Sequence, residues 1–75
     1  MTHAKLDREL GRRVRAFREA LGLSQEALGE RCGLHRAYVG HVERCEVNPS
    51  VINLLRLAAG LEIDPSELVR GLEVR

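Results

Sequence analysis

A chain of 75 residues and 8.4 kDa has room for one compact domain, because a core of this size cannot be divided between two folding units. We therefore expect a single domain over residues 1–75, which excludes a two-domain enzyme. Hydrophobic residues make up 44% of the chain and charged residues 31%, and the formal net charge of +1 argues against a disordered polyelectrolyte. With no Trp, one Tyr and one Phe, the core must be aliphatic.

Cysteine usage and hydropathy bear on where the protein works. Cys32 and Cys45 are too few for the disulfide framework of a small secreted domain, and the first residues form no secretory leader. The longest apolar run, residues 57–61, is far shorter than the about 20 residues that a membrane span needs. We expect a soluble, cytoplasmic protein without a membrane partner.

The first two predicted helices are separated by a glycine. Apolar residues recur every three or four positions near the start of the chain, which predicts a helix over about residues 5–20. Gly22 follows in the position of a left-handed C-cap. Ser24 can accept hydrogen bonds from the free amides of a second helix, over about residues 25–32.

A second glycine, Gly33, separates the next pair of helices. His35 then opens a third helix over about residues 36–44, whose inward residues are Val39 and Val42. The two short helices and the glycine between them form a compact unit. The spacing predicts a tight turn rather than one continuous helix.

Two further helices complete the predicted fold. Residues 48–50, Asn-Pro-Ser, predict a turn that ends in an N-cap, and Gly60 closes the fourth helix. Residues 64–67, Asp-Pro-Ser-Glu, are typical of a helix start and predict a fifth helix over about 65–71, ended by Gly71. No segment alternates with a two-residue period, so we predict an all-α fold of five short helices. The inward residues of the fourth helix are predicted to be Val51, Leu54, Leu55, Ala58 and Leu61.

Residues 24–43 contain the most informative pattern. Two helices that cross steeply over so few residues need small side chains where they approach, and Gly29 and Gly33 lie there. Gly29 inside a helix costs about 1 kcal/mol relative to Ala, which indicates a steric reason for its presence. This is the helix-turn-helix arrangement, in which the first helix braces the second so that its outer face can enter a DNA major groove.

The outer flank of the third helix carries candidate contacts to DNA bases. Arg36 can donate two hydrogen bonds to guanine, His41 can donate to a base edge or a phosphate, and Ala37 can touch a thymine methyl. A solvated face with incidental charges is the alternative, and the adjacent turn favours the DNA interpretation. The predicted base contacts are Arg36, Ala37, Gly40 and His41.

A second group of residues is expected to hold the DNA backbone. Gln25 begins the second helix, where its amide and the free backbone N–H groups can hold a phosphate oxygen, although helix-start polarity also explains it. Tyr38 can pack at the domain edge with its hydroxyl toward DNA, and Ser50 can equally be an N-cap. The predicted backbone contacts are Gln25, His35, Tyr38, Arg44, Asn48 and Ser50.

The chain resembles the Xre/Cro-type, phage-repressor-like helix-turn-helix family over about residues 8–70. Around residues 35–38 it is similar to small controller proteins of restriction-modification systems. The resemblance implies a homodimeric, sequence-specific transcriptional regulator that binds double-stranded DNA. The matching segments are Leu-Ser-Gln-Glu-Ala-Leu at 23–28, Gly-Leu-His-Arg-Ala-Tyr-Val at 33–39, Val-Glu-Arg at 42–44 and Asn-Pro-Ser at 48–50.

The resemblance also implies a structural ion pair, because the family often joins an arginine late in its first helix to a glutamate at the end of its third. Arg18 and Glu43 occupy those positions. Two residues depart from the pattern. Cys45 stands where the family usually has glycine, and its Cβ would strain a left-handed cap. Val47 stands where many relatives have a basic or polar residue.

The end of the chain is more apolar than one small core needs. We expect a two-fold dimer contact there, which would space two recognition helices about 34 Å apart on a palindromic site. The alternative is that these residues close the core of the monomer. They are Leu61, Ile63, Leu68, Leu72 and Val74.

Other functions fit the sequence less well. The two histidines of a zinc-capable set lie about 240° apart around a helix, so we expect no metal. All three serines start helices, and we expect no catalysis, no cofactor and no small-molecule effector. An antitoxin that binds DNA secondarily remains the alternative, although only residues 71–75 follow the last predicted helix. The zinc-capable set is Cys32, His35, His41 and Cys45.

Overall fold

The computed structural model describes residues 1–74, and every regular element among them is an α-helix. The predicted all-α fold of five helices is confirmed. Arg75, the last residue of the predicted domain, lies outside the described residues. No helix in the described part of the chain has the length and apolarity needed to cross a membrane. The helices are α1 (His3–Ala20), α2 (Gln25–Cys32), α3 (Arg36–Glu43), α4 (Val51–Leu61) and α5 (Ser66–Val69).

Side-chain caps start the first four helices. At each N-terminus the side chain of the capping residue accepts a hydrogen bond from a backbone N–H that has no partner within the helix. α5 is shorter than predicted and begins at Ser66, whose N–H donates to Asp64 Oδ1 at 2.8 Å. The capping residues of α1 to α4 are Thr2, Ser24, His35 and Ser50.

All five helices contribute aliphatic side chains to one core. The prediction for α4 is wrong at Val51 and Leu55, which are exposed, while Leu57 is fully buried. α4 is apolar around most of its circumference, so periodicity alone does not select the buried face. The buried apolar residues are Leu10, Val14, Leu28, Cys32, Val39, Val42, Leu57, Ala58, Leu61 and Leu68.

Several glycines permit close contacts between elements, and Gly29 and Gly60 are two of them. A Cβ on Gly29 would lie 2.5 Å from the carbonyl oxygen of Leu34, which accounts for a glycine inside α2. Gly60 does not end α4 as predicted, because the helix continues to Leu61. A Cβ on Gly60 would collide with Cys32 Sγ, so this glycine lets α4 pack against α2.

The apolar end of the chain is used mainly within the monomer. The predicted dimer contact is wrong for Leu61 and Leu68, because both are fully buried in the core. Ile63 is half-buried and packs against the same core. Leu72 is half-buried and Val74 is exposed, so these two remain accessible to a partner.

Candidate nucleic-acid interface

α2 and α3 meet at a tight hinge. Gly33 adopts a left-handed conformation with φ of +70°, which ends α2, and the N–H of Leu34 donates to the carbonyl of Gly29 at 2.9 Å. Three residues later α3 begins in a new direction. The chain therefore forms two short helices rather than one continuous rod, as the sequence predicts.

A largely buried network fixes α3 to the rest of the domain. Arg18 on α1 donates from Nε to Glu43 Oε2 at 2.6 Å and from Nη2 to Glu43 Oε1 at 3.0 Å. The Arg18 Nη1 group also donates to the carbonyl of Leu23 at 2.7 Å. The hydrogen bonds to Glu43 raise the pKa of Arg18, so the guanidinium stays charged. The structure thus brings Arg18 and Glu43 together as the family resemblance implies.

Gln25 joins this network at the start of α2. Its Nε2 donates to Glu43 Oε1 at 3.1 Å, so one amide N–H is engaged inside the protein. The second N–H of the amide and the free backbone N–H groups of the first turn of α2 remain available to an anion. Gln25 therefore links the buried network to the surface beside α3.

The outer face of α3 is open to solvent at most of the predicted base contacts. Arg36, Ala37 and His41 are exposed, whereas Val39 and Val42 lie in the core on the opposite side. The core-facing side therefore holds α3 to the domain, and the opposite side is exposed to solvent.

Gly40 is buried in the free protein, unlike the other three predicted base contacts, and its contact with DNA stays a prediction. A Cβ there would lie 2.8 Å from Arg44 Nη1 and 3.3 Å from Gln25 Oε1. The side chains of Arg44 and Gln25 therefore cover the position. Helical periodicity placed Gly40 on the outer flank beside Arg44, four residues later, but it does not show that the Arg44 side chain folds over Gly40.

Two glutamates that the sequence analysis did not single out hold the exposed cations. Arg36 Nη1 lies 3.3 Å from Glu26 Oε2 on α2. Glu46 Oε1 lies 2.7 Å from His41 Nδ1 and 3.2 Å from Arg44 Nε. The hydrogen bond from His41, followed by the charge of Arg44, lowers the pKa of Glu46. Neither pairing has the i,i+3 or i,i+4 spacing of ion pairs within a helix, so helical periodicity did not predict them.

The other predicted backbone contacts have roles inside the protein. His35 Nδ1 accepts from the N–H of Ala37 at 3.0 Å, which leaves Nε2 as the donor of the neutral ring. Asn48 Nδ2 donates to Asp7 Oδ1 at 2.6 Å, and Ser50 Oγ caps α4. Tyr38 is half-buried against the core, and its hydroxyl makes no hydrogen bond to residues 1–74.

The turn after α3 contains both departures from the family pattern. Cys45 adopts φ of +65°, a conformation that favours glycine, so the expected strain is present at this residue. Val47 is half-buried and packs against the core. A valine at that position therefore contributes to packing and brings no positive charge to the loop.

The zinc-capable residues are dispersed. Within residues 1–74, no three His, Cys, Asp or Glu side chains are grouped so that they could hold a metal ion. Cys32 is buried in the core, where desolvation raises the pKa of its thiol. His35 caps α3, and His41 faces Glu46.

A braced pair of short helices with one solvent-exposed outer face defines a helix-turn-helix domain. The family model described as helix-turn-helix matches residues 14–68. The control protein C.SmaI of Serratia marcescens is 43% identical over 60 residues, which cover 80% of this chain and 71% of that protein.

Solved structures agree with this match. The restriction-modification controller protein C.AhdI from Aeromonas hydrophila is 50% identical, with a TM-score of 0.81 over 83% of this chain and 94% of that chain. The c2 repressor of Salmonella phage P22, solved in complex with a synthetic operator, is 36% identical. Its TM-score is 0.76 over 84% of this chain and 96% of that chain. The chain belongs to the Xre/Cro-like helix-turn-helix family of DNA-binding transcriptional regulators, which is not a family of enzymes.

Proposed function

We propose that this protein binds a palindromic operator in double-stranded DNA as a homodimer and thereby regulates transcription. The observation that carries the proposal is the exposed outer face of α3, which the buried Arg18 and Glu43 pair holds in place. The P22 c2 repressor in complex with its synthetic operator supports the same mode of action. The higher identities to C.SmaI and C.AhdI favour a controller role over that of a phage repressor.

In this mode, α3 of each subunit enters the major groove. Arg36 donates a bidentate pair to guanine, and Ala37 contacts a thymine methyl. Gln25 and the N-terminus of α2 hold a phosphate from one side. The remaining backbone contacts are expected from His35, Tyr38, Arg44, Asn48 and Ser50.

Binding to DNA requires two exposed ion pairs to open. Glu26 holds Arg36 and Glu46 holds Arg44 in the free protein, and all four side chains are more than one-third exposed. Exposed pairs contribute only about 0 to 1 kcal/mol each, so a phosphate or a guanine edge can replace the carboxylate at small cost.

The dimer surface is expected at the exposed apolar side chains. Val51, Ile52 and Leu55 share one side of α4, and Val69 and Val74 add apolar surface near the end of the chain. Sedimentation of the wild-type protein at micromolar concentration should show a dimer, and a Leu55→Asp variant should shift it toward monomer. Leu21→Asp, at another exposed leucine, should leave the dimer intact. A wild-type protein that sediments only as a monomer would contradict the proposal.

Selection of bound duplexes from a random pool tests the DNA-binding mode. We expect a symmetric consensus with half-sites about one helical turn apart. On that consensus, Arg36→Ala should cost about 1 to 3 kcal/mol and relax specificity at one base pair, whereas Gln25→Ala should weaken binding to all sequences alike. Equal losses on consensus and random DNA for Arg36→Ala would contradict the assigned role.

A further inference from the structure

The turn that follows α3 folds back over the last turn of the helix. The N–H of Cys45 donates to the carbonyl of Val42 at 3.1 Å, and the N–H of Glu46 donates to the carbonyl of His41 at 2.8 Å. These two hydrogen bonds, with Cys45 in a left-handed conformation, form a Schellman motif. The backbone therefore places Glu46 directly beside His41.

The carboxylate of Glu46 decides which nitrogen of His41 carries a proton. Glu46 Oε1 lies 2.7 Å from His41 Nδ1, and an ionised carboxylate can only accept a hydrogen bond. His41 Nδ1 must therefore be the donor. Arg44 Nη2, 3.5 Å from the same nitrogen, is also a donor, so it adds no hydrogen bond to this tautomer.

The other ring nitrogen of His41 faces outward. His41 Nε2 has no hydrogen-bond partner within residues 1–74, and the side chain is about half exposed on the outer face of α3. In a neutral ring whose Nδ1 carries the proton, Nε2 is an acceptor. An acceptor in the major groove pairs with the amino group of adenine or cytosine, whereas a donor pairs with guanine O6 or N7, thymine O4 or adenine N7.

We propose that Glu46 is a positioning residue for base recognition, because it fixes the Nδ1–H tautomer of His41 and makes Nε2 an acceptor for the amino group of adenine or cytosine. This inference rests on the proposed DNA-binding function. It also reverses the hydrogen-bond direction predicted from the sequence, in which His41 donates to a base edge or a phosphate. A histidine on an open helix face can donate or accept, and Glu46 selects the form that accepts at Nε2.

The tautomer can be measured directly in the folded 75-residue chain. In two-bond ¹H–¹⁵N correlation spectra at neutral pH, His41 of the wild type should show the Nδ1–H form. In a Glu46→Ala variant the ring should lose that form and populate the Nε2–H tautomer. A wild-type ring that is doubly protonated or in the Nε2–H form, or one that Glu46→Ala leaves unchanged, would overturn the inference.

Base preference gives the functional readout. A His41→Ala variant identifies the base pair that His41 contacts. Duplexes selected by this variant from a random pool should lose their base preference at that position. At that position the affinity of the wild type should be about tenfold higher for adenine or cytosine on the contacted strand, which is the contribution of one satisfied buried hydrogen bond. Glu46→Ala should reduce this preference to about twofold or less. Because the readout is the ratio of affinities for two bases at one position, a general gain in affinity from removing a negative charge cancels.

Glu30→Ala is the matched control. Glu30 is exposed on α2 and has no contact with His41, so its removal changes the charge equally and should leave the preference intact. A preference for guanine or thymine, or equal behaviour of the Glu46 and Glu30 variants, would overturn the role of Glu46. Failure of the wild type to select any consensus would instead contradict the proposed function, and the spectra would still report on the tautomer.

Discussion

Charged pairs contact α3 on its inner and outer sides, and the two sides differ in their access to water. On the inner side, the side chains of Arg18 and Glu43 are 12% and 4% exposed. On the outer side, those of Arg36 and Glu26 are 65% and 61% exposed. Water and salt screen the outer pair strongly, while a charge that loses its partner on the inner side is largely shielded from water.

The difference shows how one short helix serves two purposes. The inner pair fixes the helix to α1 and to the start of α2, because breaking it would leave a buried charge unpaired. In the outer pairs the arginines can exchange their carboxylate partners for DNA, because phosphates and base edges offer equivalent hydrogen-bond acceptors. The same residue types therefore stabilise the fold on one side and form an exchangeable binding surface on the other.

The largest expected effect follows from breaking the inner pair. Glu43→Ala should lower the free energy of unfolding by about 3 to 5 kcal/mol, since it leaves the Arg18 guanidinium without its bidentate partner. Urea unfolding followed by circular dichroism measures this. An Arg18→Met, Glu43→Leu double variant should recover much of the loss, because neither charge is then left buried. Unchanged stability of Glu43→Ala would contradict the structural role.

Relieving the backbone strain in the turn after α3 should raise the free energy of unfolding, whereas breaking the inner pair lowers it. Cys45 lies two residues after Glu43 and directly before Glu46. Its φ of +65° is higher in conformational energy for a residue with a Cβ than for glycine. Cys45→Gly should raise the free energy of unfolding by about 0.5 to 1 kcal/mol, measured in the same urea titration. Cys45→Ala keeps the Cβ, so it should bring no gain. If Ala and Gly stabilised equally, the thiol rather than the backbone would be the cause.

Opening an outer pair should change DNA binding more than folding. Glu26→Ala should leave the free energy of unfolding within about 0.5 kcal/mol, because the pair with Arg36 is exposed. Its affinity for the selected duplex, measured by fluorescence anisotropy, should rise by up to about fivefold at low salt and less at high salt. Glu67→Ala removes the same charge from an exposed pair on α5 and should not change affinity. A loss of affinity in Glu26→Ala would reverse this interpretation.

An ion pair on α1 provides a reference that includes none of the proposed DNA contacts. Hydrogen bonds from Arg12, and then from Arg13, lower the pKa of Glu9 from 4.5 to about 2. Because the folded-state pKa lies below the ordinary value, any stabilisation from this pair is complete above pH 4.5 and is lost as the pH falls toward 2. The ¹³C titration of the Glu9 carboxyl should show the low midpoint, and Arg12→Ala should move it toward 4.5. A midpoint near 4.5 in the wild type would contradict the pairing.

Local chemistry explains why sequence predicted the helices closely. Ser24 and Ser50 cap α2 and α4 because a hydroxyl beside the free amides of a helix start satisfies them in any tertiary context. Gly22 and Gly33 take left-handed conformations for a reason that is equally local. Predictions that depended on a distant neighbour were less successful. Gly60 shows this, because its role is set by Cys32 on another helix.

The candidate interface divides in the same way. Helical spacing placed Arg36, Ala37 and His41 together on an exposed flank, and it did so because the core valines fix the opposite face. It did not show that Arg44 covers Gly40, nor that Glu46 contacts His41. The first contact depends on the rotamer of the Arg44 side chain and the second on the left-handed turn at Cys45, and helical spacing predicts neither.

By itself, the amino-acid sequence determined the all-α class, the hinge at Gly33 and the exposed side of α3, because capping, glycine backbone freedom and helical periodicity act within a few residues of chain. Tertiary structure alone decided that Leu61 and Leu68 close the monomer core and that Glu26 on α2 lies against Arg36 on α3. Both outcomes depend on which surfaces meet when the helices pack together, and that choice is made by the shape and volume of the whole core rather than by any one segment.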